Sequence, residues 1–213
     1  MQTPEFSSPR DALLAAFLPH AGFDGWSQTS LAVACRDLGW PDSEVLRLFP
    51  GGPAQLADYH NAQAVASMVE ALGKRDLAGL KIREKVALGV RLMLEPQITH
   101  REALRRALPL LAMPRHLDIA ARTAWRVADA IWYALGDAST DFNFYSKRGL
   151  LVGVWSTTLL YWLDDRSVGC AKSWAFLDRR IDNVMQIEKL KSRLGLGAQG
   201  PRKTKPDQAS PSS

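Results

Sequence analysis

Apolar positions along the chain recur at steps of three and four, the period of a helix, and no alternating run of the strand kind survives. Helix punctuation is dense. Ser8-Pro9-Arg10-Asp11 offers a capping serine, a proline for the first turn and an acid three residues on, so a helix is predicted from there to about Pro19, with Gly22 beyond it. Ser27 or Thr29 opens a second helix that stops at Gly39, and a short third follows Pro41-Asp42 and ends near Phe49. After the hard turn Pro50-Gly51-Gly52-Pro53, further helices are predicted over 54–72, over 80–95 up to Pro96, and from a second capping box at Thr99-His100-Arg101-Glu102 to near Pro114. Three more follow, over 117–135, 141–163 and 171–194, and the Gly, Pro and Ser content from Gly195 onward predicts a disordered tail. The expected division is an extension at 1–10, a three-helix unit at 11–53, a larger helical domain at 54–194 and a basic tail at 195–213.

Composition sharpens this picture in two places. Apolar residues make up 46% of the 213, enough for a substantial core, yet the longest uncharged stretch, 149–163, is shorter than the ~20 residues that cross a bilayer. The net charge of +5 is uneven: three arginines stand against seven acids in residues 1–60, a net −4, leaving +9 for the rest. Glu5 and Asp11 beside a single Arg10 do not read as a secretory signal or an Arg-rich transit peptide, and Cys35 and Cys170 have no metal spacing. The expected location is therefore cytoplasmic, at the inner face of a bacterial membrane where the chain touches one.

Residues 11–60 resemble the N-terminal domain of TetR-type regulators, with Gly22-Phe23-Asp24-Gly25 in the first turn, Leu38-Gly39-Trp40 in the tight turn and Val45, Leu46, Leu48 and Phe49 on the third helix. A recognition helix has to approach phosphates with Lys and Arg. This one opens on Asp42 and Glu44 in a segment of net −4, so no nucleic acid is expected as a partner. A ligand-responsive repressor on the same fold, contacting DNA through Gln28, Arg36 and Arg47, is the alternative.

From Asp129 the chain reads DAIWYALGDASTDFNFYSKR, continues through Thr157-Thr158-Leu159 and Asp164-Asp165, and reaches WAFLDRRI at 174–181. The GD-x-STDFN-x-Y-x-(K/R)-R core is similar to that of the Coq-nine family of ubiquinone-biosynthesis lipid-binding accessory proteins, over roughly 97–190. The resemblance implies an all-α, TetR-like homodimer that holds an isoprenoid or quinone lipid in its larger domain. It also implies presentation of that lipid to the demethoxyubiquinone hydroxylase. The family's partner-binding patch carries over to Ile131, Trp132, Asp141, Phe144, Tyr145 and Arg148. At 144 the family commonly has Trp. Phe144 keeps the apolar anchor and lacks the indole N–H donor.

Taken by themselves, the same residues leave alternatives open. Ser139 or Thr140 can cap the helix that Asp141 opens, and Phe144 and Tyr145 can be core. The 149–163 stretch is apolar nearly all round, so its helix is expected to be buried on several sides. It fits a dry core or the wall of a lipid cavity, with Leu151, Val154, Trp155, Leu159 and Trp162 as candidate lipid-binding residues. Gly149 and Gly153 allow a close backbone approach or leave room for a ligand, and the hydroxyls of Ser156, Thr157 and Thr158 can return to the backbone. Trp174, Leu177, Ile181, Val184, Ile187 and Leu194, with Leu190 beside them, form a stripe expected to serve the dimer seam. Lys189, Lys191, Arg193, Arg202, Lys203 and Lys205 would each add about 1 kcal/mol beside an anionic leaflet, so peripheral membrane contact joins the expected partners, against a solvated tail.

Catalytic constellations fail one by one. None of His20, His60, His100 and His116 stands three after a Glu, as a carboxylate di-iron site needs, and no glycine-rich phosphate loop or nucleophile elbow occurs. No catalytic residue, metal or cofactor is expected, and the chain is read as a non-enzyme.

Overall fold

The computed structural model describes residues 8–137 and 142–193. Among them are nine α-helices and no strand: α1 (Pro9–Asp24), α2 (Gln28–Asp37), α3 (Ser43–Leu48), α4 (Gly52–Gly73), α5 (Ile82–Leu94), α6 (Arg101–Leu111), α7 (Leu117–Ala134), α8 (Phe142–Asp164) and α9 (Ala171–Arg193). The tail from 195 onward and the extension before Ser8 lie outside the described residues.

The local signals act largely as the sequence predicts. Ser8 accepts a hydrogen bond from the Asp11 N–H at 3.2 Å and donates its hydroxyl to the Asp11 carboxylate, and Ser27 accepts from Ser30 N–H at 3.0 Å. Two boundaries differ. Pro19 lies inside α1, which continues to Asp24: a proline forfeits one intrahelical bond, while Ala21 beyond it still buries its side chain. The helix ends where Gly25 takes φ 82, a left-handed turn that favours glycine. The second expected capping box does not form. A 3-10 turn over Glu95–His100 runs directly into α6, so Thr99 meets no free helix start, and His100 makes no side-chain cap bond.

Two cores organise these helices. The first joins Leu13, Phe17, Leu31, Phe49 and Leu56, and takes in Ala103 and Ala107 of α6. Trp26 stitches α6 to this unit by donating its indole N–H to the Ala103 carbonyl at 2.7 Å, and the Arg10 guanidinium lies 4.5 Å from the Phe49 ring and 4.8 Å from the Tyr59 ring. The second core packs α4, α5, α7, α8 and α9 around Met68, Val90, Val127, Ile131, Trp162 and Leu177. Gly89 lets α5 and α7 approach: a Cβ there would meet Ile131 side-chain atoms at 3.1–3.3 Å.

The stripe on α9 is used inside the chain. Trp174, Leu177 and Ile181 are buried in the second core, so they are not a free dimer seam as expected. The open side is on α8 instead. Gly149, Gly153 and Thr157 are exposed at steps of four, Leu160 and Tyr161 follow, and a Cβ at either glycine would meet nothing within 4 Å. Tyr161 stacks on Phe176 of α9 at 4.5 Å. The junction between α8 and α9 is fixed by Asp165, whose carboxylate accepts from Ser167 N–H, Ser173 N–H and the Ser173 hydroxyl. Burial works against the charged form there, but those hydrogen bonds outweigh it and hold the Asp165 carboxyl well below the usual range.

Candidate functional site

Helix α8 is a wall with a cavity on each side. Along it, Trp155, Ser156, Leu159 and Leu160 face a cavity of about 410 Å³, and Leu150, Leu151 and Val154 face another of about 570 Å³. Of the candidate lipid-binding residues, Leu151 and Val154 thus line the second cavity, and Trp155 and Leu159 the first. Trp162 lines neither. It is fully buried, with the Arg101 guanidinium 4.3 Å from its ring and its indole N–H without a partner. Of the neighbouring hydroxyls, Thr157 returns to the Gly153 carbonyl at 2.7 Å, whereas Thr158 is buried and unpaired.

The two cavities differ in chemistry. The first is lined by α4, the end of α5, the turn after it, α6, α7 and α8, and no Lys, Arg, Asp or Glu is among its lining residues. Its polar corner holds His60 of α4 and Gln97 of the 3-10 turn. Burial pushes the His60 imidazole down to about 4, with His100 opposing its charge and Gln97 favouring it, so the ring is neutral at pH 7. Sequence reasoning missed this corner. The available signal was position: His60 follows Leu56 and precedes Ala64 by four on the inward face of α4, where a histidine is out of place.

The second cavity is rimmed by charge, with Arg83, Asp137 and Lys147 among its lining residues, and Trp132 also lines it. Trp132 lies between cavity and surface: its indole N–H donates to the Lys147 carbonyl at 3.3 Å and the Lys147 ammonium sits 5.4 Å from its ring. Beneath, Arg148 is 2% exposed and binds Asp129 at 2.5 Å and Asp137 at 3.2 Å, while Lys147 binds Asp137 at 2.8 Å. These bonds clamp α8 to the end of α7.

The structure brings part of the carried-over patch together. Phe144 and Tyr145 meet edge to face at 5.0 Å, Tyr145 lies 6.2 Å from Trp125 of α7, and Arg148 covers the Phe144 ring at 3.5 Å. Tyr145 is 64% exposed; Phe144 and Trp132 are half-buried. Ile131 is fully buried against Gly89, so it supports the patch from below, as Arg148 does. Asp141, Ser139 and Thr140 lie outside the described residues, as do the basic side chains from Lys189 onward.

Helix α3, by contrast, presents little to a polyanion. Asp42 is exposed, Arg47 is bound to Glu44 at 2.6 Å, and the Gln28 amide lies against Gly52, where a Cβ would come within 2.5 Å of it.

Residues 117–188 match the family model described as COQ9. Among curated relatives, the mitochondrial ubiquinone biosynthesis protein COQ9 of Drosophila melanogaster is 31% identical over 188 residues, covering 86% of this chain and 57% of the relative. The probable mitochondrial ubiquinone biosynthesis protein coq9 of Dictyostelium discoideum is 30% identical over 189 residues, covering 84% and 61%. The mitochondrial COQ9 of Rattus norvegicus is 30% identical over 185 residues, covering 82% and 58%. The chain therefore spans about three fifths of the length of these relatives. Among solved structures, a TetR transcriptional regulator from Nitrosomonas europaea superposes with a TM-score of 0.66 over 83% of this chain and 98% of that one. At 17% identity this likeness shows the fold alone.

One expectation is corrected by these relatives. A cytoplasmic location at a bacterial membrane does not stand beside proteins named as mitochondrial in fly, slime mould and rat. The expectation rested on two acids within eleven residues, and the composition of so short a segment does not fix a compartment.

Proposed function

The chain belongs to the COQ9 family, and from that premise we propose that it is a non-catalytic accessory protein of ubiquinone biosynthesis that holds an isoprenoid quinone intermediate against α8. It presents that lipid to the demethoxyubiquinone hydroxylase at the α7–α8 end. The observation that carries this reading is Trp132, which lines the second cavity and bonds to Lys147, three and two residues along α8 from Phe144 and Tyr145. A lipid in that cavity reaches the surface where an exposed tyrosine and a half-buried phenylalanine offer the kind of anchor on which interfaces concentrate their energy.

The dimer belongs to the same proposal. Its seam is the open face of α8, where Gly153, Thr157, Leu160 and Tyr161 leave room for a second helix at close range. Contact with DNA is not part of it. With Glu44 holding Arg47 and Asp42 exposed beside them, a gel shift on upstream DNA should be absent at physiological salt.

Native mass spectrometry of the purified protein with lipid extraction, followed by co-purification with the hydroxylase, tests the proposal. A retained prenylated ring compound and a stable complex are expected. A lipid-free protein that ignores the hydroxylase overturns it.

A further inference from the structure

The first cavity faces away from the aromatic patch, and its polar groups can be accounted for one at a time. Trp26 spends its indole N–H on the Ala103 carbonyl at 2.7 Å. Thr123 donates to the Ala120 carbonyl at 2.8 Å, and the Asn61 side-chain oxygen accepts from Arg126 at 3.2 Å. Ser156 is half-buried on the α8 wall. The side-chain oxygen of Gln97 is different: it is buried and has no well-formed hydrogen bond, with the His60 ring in its reach. Leaving such an acceptor dry is costly, and it stands beside His60, itself 7% exposed. We propose that the first cavity binds an apolar molecule whose head group is an uncharged hydroxyl, held between the Gln97 side-chain oxygen and the His60 ring.

The chemistry selects that head group by exclusion. A carboxylate or phosphate entering here would lose its water and meet no cation, because no Lys or Arg lines the cavity. An ether or a ketone only accepts, so it leaves the Gln97 oxygen unpaired. A hydroxyl donates to Gln97 and accepts from the N–H of a neutral imidazole, which carries one donor and one acceptor. The His60 ring is kept neutral by its burial. A phenol suits the aromatic walls, since Trp26 and Trp155 both face the space, and 410 Å³ is within the ~300–1,000 Å³ typical of small-molecule sites.

This site rests on the reading of α8 as a lipid wall, and the test separates the two. Para-dodecylphenol, para-dodecylanisole and para-dodecylbenzoate are titrated below their aggregation limits into the full chain, with binding read by calorimetry and by quenching of tryptophan fluorescence. The phenol should bind about tenfold or more tighter than the anisole and the benzoate, because a site built to pair a hydroxyl rejects the analogue without it. Gln97→Leu should bring the phenol down to the anisole's affinity, leave the anisole unchanged and leave the melting temperature in place. Should Gln97→Leu lower the melting temperature, Gln97→Met provides the same comparison. Equal binding of phenol and anisole by the parent, preference for the benzoate, or an undiminished phenol preference in Gln97→Leu overturns the head-group assignment while the lipid wall stands. If none of the three probes binds, the lipid wall itself fails and this site with it.

Discussion

The two sides of α8 are built from one apolar sequence and end up with opposite electrostatics. Toward the first cavity the helix turns Trp155 and Leu159, and everything facing them is uncharged, down to a histidine held neutral. Toward the second it turns Leu151 and Val154, and these look out on Arg83, Asp137 and Lys147. The difference lies in the neighbours. The first side is lined by α4, α6 and α7 with small residues that include Ala64, Ala107 and Ala124, whereas the second is lined by α5, α9 and the end of α7, beside which four charged side chains interlock. A wall of this kind lets one helix serve an uncharged apolar space on one side and a charged rim on the other. Perturbing one side should leave the other in place.

The largest effect is expected at the clamp. Arg148→Ala removes a cation that is 2% exposed from the Asp137 side chain, itself 10% exposed, and one-sided loss of a buried pair costs ~3–5 kcal/mol. Asp129 is half in water and Asp137 keeps Lys147 at 2.8 Å, so the lower end, about 3 kcal/mol, is the expectation. Chemical denaturation measures it. The comparison is sharpened if the folded variant still binds para-dodecylphenol in the first cavity while its complex with the hydroxylase is lost.

Acid should strike the first side next. The folded His60 is at about 4 against 6.5 for the free ring, so between these values the unfolded chain binds the extra proton. Stability therefore falls as pH drops from about 6.5 and the loss is complete below about 4, reaching about 3 kcal/mol for a shift of that size. His100, also lowered by burial, adds in the same direction. Asp165 belongs to a separate window. Its folded carboxyl is lowered, so its contribution is present above the ordinary carboxylate value of 3.8 and is lost only as pH falls further. Unfolding curves of the parent and His60→Phe between pH 7 and pH 4.5 should converge in slope only if the histidine is not the group responsible.

Filling the first cavity should cost less. Ala124→Trp places an indole in space that is already open, so stability should move by about 1 kcal/mol, at the low end of overpacking costs. Binding of the alkylphenol should fall sharply and the hydroxylase complex should persist. Loss of both would mean that the two sides of α8 are one continuous site.

How much of this was legible in the sequence follows from the range of the interactions. Ser8 and Ser27 act on their own neighbours, so the helix starts they control could be read directly, whereas the stop at Gly25 was missed because the local penalty of Pro19 was outweighed by burial beyond it. The apolar run of α8 announced a buried helix but could not say against what. Its first cavity is assembled from six separate elements, and His60 and Gln97 meet only in three dimensions. Ile131 and Arg148 looked like surface residues beside Phe144 and Tyr145, yet Gly89 on another helix covers the one, and Asp129 and Asp137 enclose the other. The stripe on α9 was visible as a stripe, and only packing shows that α5 and α8 of the same chain consume it.

The smallest effect on the fold and the sharpest on function is expected at Tyr145. Its side chain is 64% exposed, it touches Phe144 at 5.0 Å and Trp125 at 6.2 Å, and its hydroxyl is free of the Arg148 clamp below. Replacing it by Asp removes an aromatic from the surface without opening the core, so stability should stay within about 0.5 kcal/mol of the parent. Phe144 is a poorer probe, because a lysine there would stand where the Arg148 guanidinium now covers the ring at 3.5 Å, and like charges would disturb the clamp itself. An aromatic at the centre of an interface is worth ~2 kcal/mol or more, and an unpaired carboxylate in its place adds a desolvation cost. Tyr145→Asp should therefore weaken the hydroxylase complex thirtyfold or more, on the order of 2 kcal/mol, in a pull-down titrated against the parent. Alkylphenol binding in the first cavity should be unchanged, since no atom of Tyr145 lines it. A variant that melts like the parent and still holds the hydroxylase as tightly would move the docking surface away from the charged side of α8. The two sides would then differ in chemistry without differing in role.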